Sequence, residues 1–114
     1  GAVRADVPVP VVFAERAAST PGAVAVEGAG FSLSFGELEA ASNRWASYLG
    51  SAGVGRGSVV GVLLGRGVDL HAVMLGVWKA GAAFVPLDPG FPSARVAGML
   101  ADAHATVLVT ELAL

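Results

Sequence analysis

The chain has no cysteine, which rules out both a disulfide framework and a thiolate metal site. Lysine is almost missing too: Lys79 stands against six arginines, and the net charge is −2. With no cluster of Lys and Arg there is no electrostatic footprint for nucleic acid, so none is expected as a partner. The two histidines, His71 and His104, lie far apart without ligand spacing around them, and no metal-binding residue is assigned. Long apolar runs are also lacking, because Lys79 interrupts the longest; no membrane span is expected. The first residues, from Gly1, carry no basic region followed by an apolar signal core, so a cytoplasmic location is expected.

What is abundant is small and apolar. Hydrophobic residues make up 54% and charged residues 14%, where a soluble domain averages about 45–50% and about 25%. A piece of a larger fold has this balance, because a face buried in the whole carries no polar replacement. The alternative is a compact, Ala-rich α/β domain. At 114 residues the chain is one domain at most. Its Ala, Gly, Val and Arg usage fits a GC-rich bacterial genome.

Hydrophobic periodicity sets out the elements. Residues 1–10, with Pro8 and Pro10, read as a linker. Residues 11–19 read as a helix, ended by Thr20-Pro21-Gly22. Residues 24–27 and 31–33 form a hairpin around Gly28-Ala29-Gly30. Ser34 and Glu37 make a capping-box pair at the start of a helix running to about Ala52. Leu38, Ala41, Trp45, Tyr48, Leu49 and Ala52 form its stripe, and Gly53 stops it. A strand over 59–64 follows, then a helix capped by Asp69 and running to Ala80. Gly81 is placed as a left-handed C-cap. Residues 82–85 then form a strand covered on both faces, which Pro86 closes. Ser93 caps a third helix over 94–103, and 106–110 is a further strand. Strands separated by helices call for right-handed crossovers and a parallel sheet. The fold class is α/β: the start of a doubly wound domain with a βαβαβ parallel sheet, preceded by a helix and a short β-hairpin.

No residue is assigned a catalytic or cofactor-binding role. Gly53-Val54-Gly55-Arg56-Gly57 has the glycines of a phosphate loop in reversed context, with a helix before and a strand after, and reads as a helix exit. Gly65-Arg66-Gly67 has the right order, strand then helix, but is too short for a nucleotide fingerprint. Lys79 lies in a last helical turn, where a cation suits the helix dipole. Asp88 reads as a cap for the backbone of Asp88-Pro89-Gly90. Asp102 has no partner arranged as a dyad, since His104 would face elsewhere on a helix. Trp45, Tyr48 and Trp78 read as core packing.

Two stretches carry a family likeness. VWKAGAAFVPLD at 77–88, followed by Pro89, Pro92 and Arg95, resembles the second core motif of nonribosomal peptide synthetase adenylation domains. LSFGEL at 33–38 resembles the first, with Ser for Thr and Phe for Tyr. Weaker matches at Phe13, Asn43, Gly57, Asp102 and Thr110 extend the likeness over nearly the whole chain. The resemblance implies an N-terminal part of the large subdomain over 11–114, incomplete. The parent would activate an amino acid with ATP and Mg²⁺, then load it on a carrier-protein phosphopantetheine thiol. Implied partners are the rest of the adenylation domain, neighbouring condensation and carrier domains, and a small accessory protein. The family's phosphate-binding loop, amino-acid pocket and catalytic lysine fall outside these motifs, so this chain alone is expected to be inactive. Two other readings remain at this stage: part of an acyl- or aryl-acid CoA ligase, which shares the lysine-alanine-glycine turn, and a non-enzymatic α/β interaction module.

Overall fold

The computed structural model describes residues 22, 24–28, 31–65 and 67–111. The expected linker over 1–10, the helix over 11–19, the turn at Ala29 and Gly30, and Arg66 lie outside them. Strands β1 (Val24–Gly28) and β2 (Phe31–Ser34) pair antiparallel. They lead into α1 (Phe35–Ser51), β3 (Val59–Leu63), α2 (Val68–Lys79), β4 (Ala83–Leu87), α3 (Ser93–Asp102) and β5 (Val107–Thr110).

Helix starts follow different rules. At α1 the capping box forms in full: Glu37 N–H donates to Ser34 Oγ at 3.1 Å, and Ser34 N–H donates to Glu37 Oε1 at 3.0 Å. The other two expected caps are corrected. Gly67 precedes α2, and Asp69 lies inside the first turn without a capping bond. There its carboxylate still suits the positive end of the helix dipole. Pro92 precedes α3, its φ of −58° and ψ of 147° steering the chain in, so Ser93 is already helical.

The three described helices end alike. Gly53 (φ 90°) and Gly81 (φ 85°) take left-handed conformations. Behind Gly81, its own N–H reaches Trp78 O at 2.9 Å and Ala82 N–H reaches Val77 O at 3.1 Å. That pair of bonds is a Schellman motif. At α1 the same pair runs from Gly53 to Gly50 and from Val54 to Leu49. At α3 the left-handed residue is His104, with φ 55°. His104 is thus past the helix end rather than on the helix.

The parallel sheet has the order β4-β3-β5, so β3 is central. Side chains alternate across it. Val60 and Val62 share a buried cluster with Leu49, Val73 and Val77 from α1 and α2. Gly61 points the other way, where a Cβ would collide with Leu100 Cδ2 of α3. Helices therefore lie on both faces, which is the doubly wound arrangement.

Three expectations change. Pro86 does not close β4 but sits within it, opposite Val62. β4 is an edge strand, where a missing N–H costs no ladder bond. For the same reason residues 82–85 are not covered throughout: Ala83 is exposed while Phe84 and Val85 are half-buried. On α1 the buried line is Leu38, Ser42 and Leu49 rather than the full expected stripe. Tyr48 (68% exposed) turns out to solvent, as does Trp78 (43%) on α2; Trp45 alone of the three packs against the core.

Candidate functional site

In open α/β sheets the crevice beyond the carboxyl ends of the strands is where ligands bind. Here that crevice is shaped by the turn after β4. Asp88 Oδ1 accepts the Gly90 N–H at 2.8 Å, and Asp88 O accepts the Phe91 N–H at 3.0 Å. This is the expected capping role. The turn presents Phe91, held under the Arg95 guanidinium at 4.1 Å in a cation–π contact.

Phe91 divides two open cavities. One, of about 550 Å³, is lined by Leu64, Leu70, Met74, Leu87, Asp88 and Phe91 among others. Beyond the ring a cavity of about 280 Å³ meets Leu63, Val96 and Leu100. Both linings are apolar. Among the described lining residues Asp88 is the one titratable group, and its Oδ1 already holds the turn. The arrangement can support and bury other polypeptide; it brings together no nucleophile and base.

The glycine turns lie where their context suggested. Residues 53–57 are the exit of α1, with Val54 buried and Gly57 at φ 86°. At the end of β3, the Gly65 N–H donates to Glu111 Oε1 at 3.2 Å, so its donor faces a carboxylate of this chain. Asp102 and His104 are both exposed and form no dyad.

Lys79 has more partners than its place in the last turn of α2 indicated. Its Nζ lies 2.9 Å from Glu39 Oε1 and 2.8 Å from Asn43 Oδ1. Asn43 Nδ2 in turn donates to Glu39 Oε1 at 3.1 Å. The Lys79 side chain is 10% exposed, so this ring joins α1 to the end of α2 in partly dry surroundings. A hint existed in sequence, since Glu39 and Asn43 are spaced i, i+4 on one helix face. A further open cavity of about 460 Å³ lies along α1 between Arg44, Trp45, Tyr48 and Asp69. The Trp45 and Tyr48 rings there meet edge-on, 6.0 Å apart at 86°. No group of three or more His, Cys, Asp or Glu that could hold a metal occurs among the described residues. Nor is any of their helices long and apolar enough to cross a membrane.

A doubly wound sheet of this order, with the Asp88 turn at its carboxyl end, defines the class. Residues 13–114 match the family of AMP-binding enzymes. Tyrocidine synthase 2 of Brevibacillus parabrevis is 44% identical over 100 residues, covering 88% of this chain and 3% of that protein. The probable non-canonical nonribosomal peptide synthetase CymA of Salinispora arenicola (strain CNS-205) is 43% identical over 104 residues, with 91% and 1% covered. Among solved structures, AB3403, a four-domain nonribosomal peptide synthetase bound to AMP and glycine, aligns with a TM-score of 0.84. Its identity is 32%, over 94% of this chain and 8% of that one. The N-terminal subdomain of Klebsiella oxytoca NpsA aligns with a TM-score of 0.83 and 26% identity, over 90% of this chain and 27% of that one. The chain belongs to the AMP-binding enzyme family. Within it, the chain is a stretch of a nonribosomal peptide synthetase adenylation domain, and it spans a few per cent of the length of the curated synthetases it matches.

Proposed function

We propose that residues 11–114 form the N-terminal part of the large subdomain of an amino-acid-activating adenylation domain, with 1–10 as the linker into it. The parent takes an amino acid and Mg·ATP to an aminoacyl adenylate and pyrophosphate. It then passes the acyl group to a phosphopantetheine thiol on a carrier protein. The observation that carries this reading is the 77–88 turn. Gly81 locks the end of α2, β4 follows in register with β3, and Asp88 ties the next turn.

The residues described here do not fit ATP, Mg²⁺ or phosphopantetheine. The Gly65 donor faces Glu111, the crevice is apolar, and there is no cluster of metal-ligating groups among them. The contribution of this stretch is mechanical. It fixes the central strand and the helix ends against which the reacting groups of the rest of the domain are mounted. Its partners are that remainder, flanking condensation and carrier domains, and a small accessory protein, all in the cytoplasm.

The test is amino-acid-dependent ATP–pyrophosphate exchange by the adenylation domain that contains this chain, across a panel of amino acids. Exchange supported by one or a few of them is the expected result. Coenzyme A thioester formation from a carboxylic acid, with no amino-acid-dependent exchange, would overturn the reading.

A further inference from the structure

A second apolar surface lies on α1, and none of its residues lines the crevice. Trp45 and Tyr48 stand three positions apart on that helix and so share a face. Their rings meet edge-on, centroids 6.0 Å apart and planes at 86°, which makes a right-angled aromatic corner. The corner opens on a cavity of about 460 Å³. Tyr48 is 68% exposed, the most exposed large hydrophobic side chain among the described residues. Two charges line the same cavity, Arg44 from α1 and Asp69 from the first turn of α2. Neither takes part in an ion pair among the described residues.

The sequence ahead of the described residues contains a segment of matching chemistry. Val7-Pro8-Val9-Pro10 alternates valine with proline. Each proline fixes its own φ and biases the residue before it toward extended backbone. Such a run favours the polyproline II helix, which aromatic-lined grooves bind at low ordering cost. Ahead of it stand Arg4 and Asp6, the charge complements of Asp69 and Arg44. In polyproline spacing residues 4–8 span about 12 Å, and α1 from Ala41 to Tyr48 spans about 10 Å. Segment and cavity wall thus match in length as well as in charge.

We infer that residues 4–10 of this chain dock on the Trp45–Tyr48 corner, with the prolines on the rings, Arg4 toward Asp69 and Asp6 toward Arg44. The proposal rests on the reading of 1–10 as a linker into the adenylation domain. The segment can reach its site. Val24 lies opposite Ser34 at the start of α1, and Tyr48 is about 21 Å further along that helix. Residues 11–24 cover about 30 Å even with 11–19 helical, as the sequence predicts. Covalent attachment also raises the local concentration of the segment to about millimolar, so one corner and two surface charge pairs suffice. A linker held in this way fixes the direction from which the polypeptide enters the domain.

Hydroxyl-radical footprinting of Tyr48, in the adenylation domain that contains this chain, tests the docking. Removing residues 1–10 should make Tyr48 oxidise about fivefold faster, the factor for a segment docked about four-fifths of the time. Pro8→Gly together with Pro10→Gly should do the same at unchanged chain length. Asp6→Arg should also expose the ring, and adding Arg44→Asp should restore its protection. Equal oxidation of Tyr48 with and without residues 1–10 would overturn the proposal, whether the ring is then bare or covered by another domain. So would protection that vanishes on dilution to the monomer, since the occupant would then be a second copy. Amino-acid-dependent pyrophosphate exchange by the same samples reports separately on the adenylation-domain reading, so the two can fail independently.

Discussion

Gly76 on α2 passes so close beneath α1 that a Cβ built on it would stand 2.6 Å from Trp45 Cβ and 3.1 Å from Ser42 O. The second contact is with backbone, which cannot swing aside. The absent side chain therefore sets the spacing of the two helices, and it explains why Ser42 is fully buried there.

Gly76→Ala is expected to destabilise the adenylation domain by about 1–3 kcal/mol, the usual cost of overpacking. The same substitution at Gly50 meets nothing within 4 Å. Gly50→Ala should instead stabilise, by up to about 1 kcal/mol, because alanine loses less backbone entropy in a helix. Urea melts of the two variants should move in opposite directions.

The left-handed helix ends give a second pair of opposed outcomes. Gly81 has φ 85°, so Gly81→Val should cost more than ~1 kcal/mol, since a β-branched residue strains there. His104 holds the corresponding place after α3 at φ 55°. His104→Gly should gain up to about 1 kcal/mol, the order of the cost an L residue pays in that region. Thermal melts check both. An unchanged melt for Gly81→Val would contradict the first.

The start of α1 is expected to depend on its hydroxyl. Ser34→Ala removes the acceptor for the Glu37 N–H and should cost about 0.5–2 kcal/mol in a urea melt.

Acid should weaken the same helix start. Glu37 accepts the Ser34 backbone N–H and, secondly, interacts with the Ser34 hydroxyl, which together hold its carboxyl below the ordinary glutamate value. A carboxylate lowered on folding stabilises fully above its unfolded pKa, and the contribution is lost as pH falls through the folded one. The melting temperatures of wild type and Glu37→Gln should therefore differ by a constant amount near neutrality and converge on acidification. A gap that widens toward low pH would contradict the assignment.

Residues 1–114 by themselves should support no amino-acid-dependent exchange of pyrophosphate into ATP and no measurable ATP binding. Adenylation requires donors and cations placed around the phosphates, and the donors described here are engaged or absent. Exchange above a heat-killed control would contradict the scaffold reading.

Signals confined to a few residues were legible in the sequence. The Ser34–Glu37 box, the left-handed glycines at 53 and 81, the Asp88 turn and the strand–helix rhythm depend on neighbours within one turn, and they fold as their chemistry dictates. Signals that need a distant partner were not. Tyr48 shares a helical period with Leu38 and Leu49, yet the close approach at Gly76 rotates the buried line toward Ser42 and leaves the ring outside. Asp69 and Ser93 have the right residue type for a cap, but where the helix begins was decided by Gly67 and Pro92. Of the crevice, the Asp88 turn was foreseeable; the Glu111–Gly65 contact there, and the links of Lys79 to Glu39 and Asn43 at the far end of α2, were not, because they join residues 36 or more positions apart.

The three helix ends bear on how the fold is reached. Each Schellman pair closes between residues five or fewer apart, so the loop-closure entropy it costs is small. Parallel strand pairing, by contrast, must wait for whole crossovers and is slow. A chain leaving the ribosome can thus turn away from α1 and α2 before β3 and β4 have met. On that account Gly81 acts early, and replacing it should slow the folding of this segment more than it hastens its unfolding.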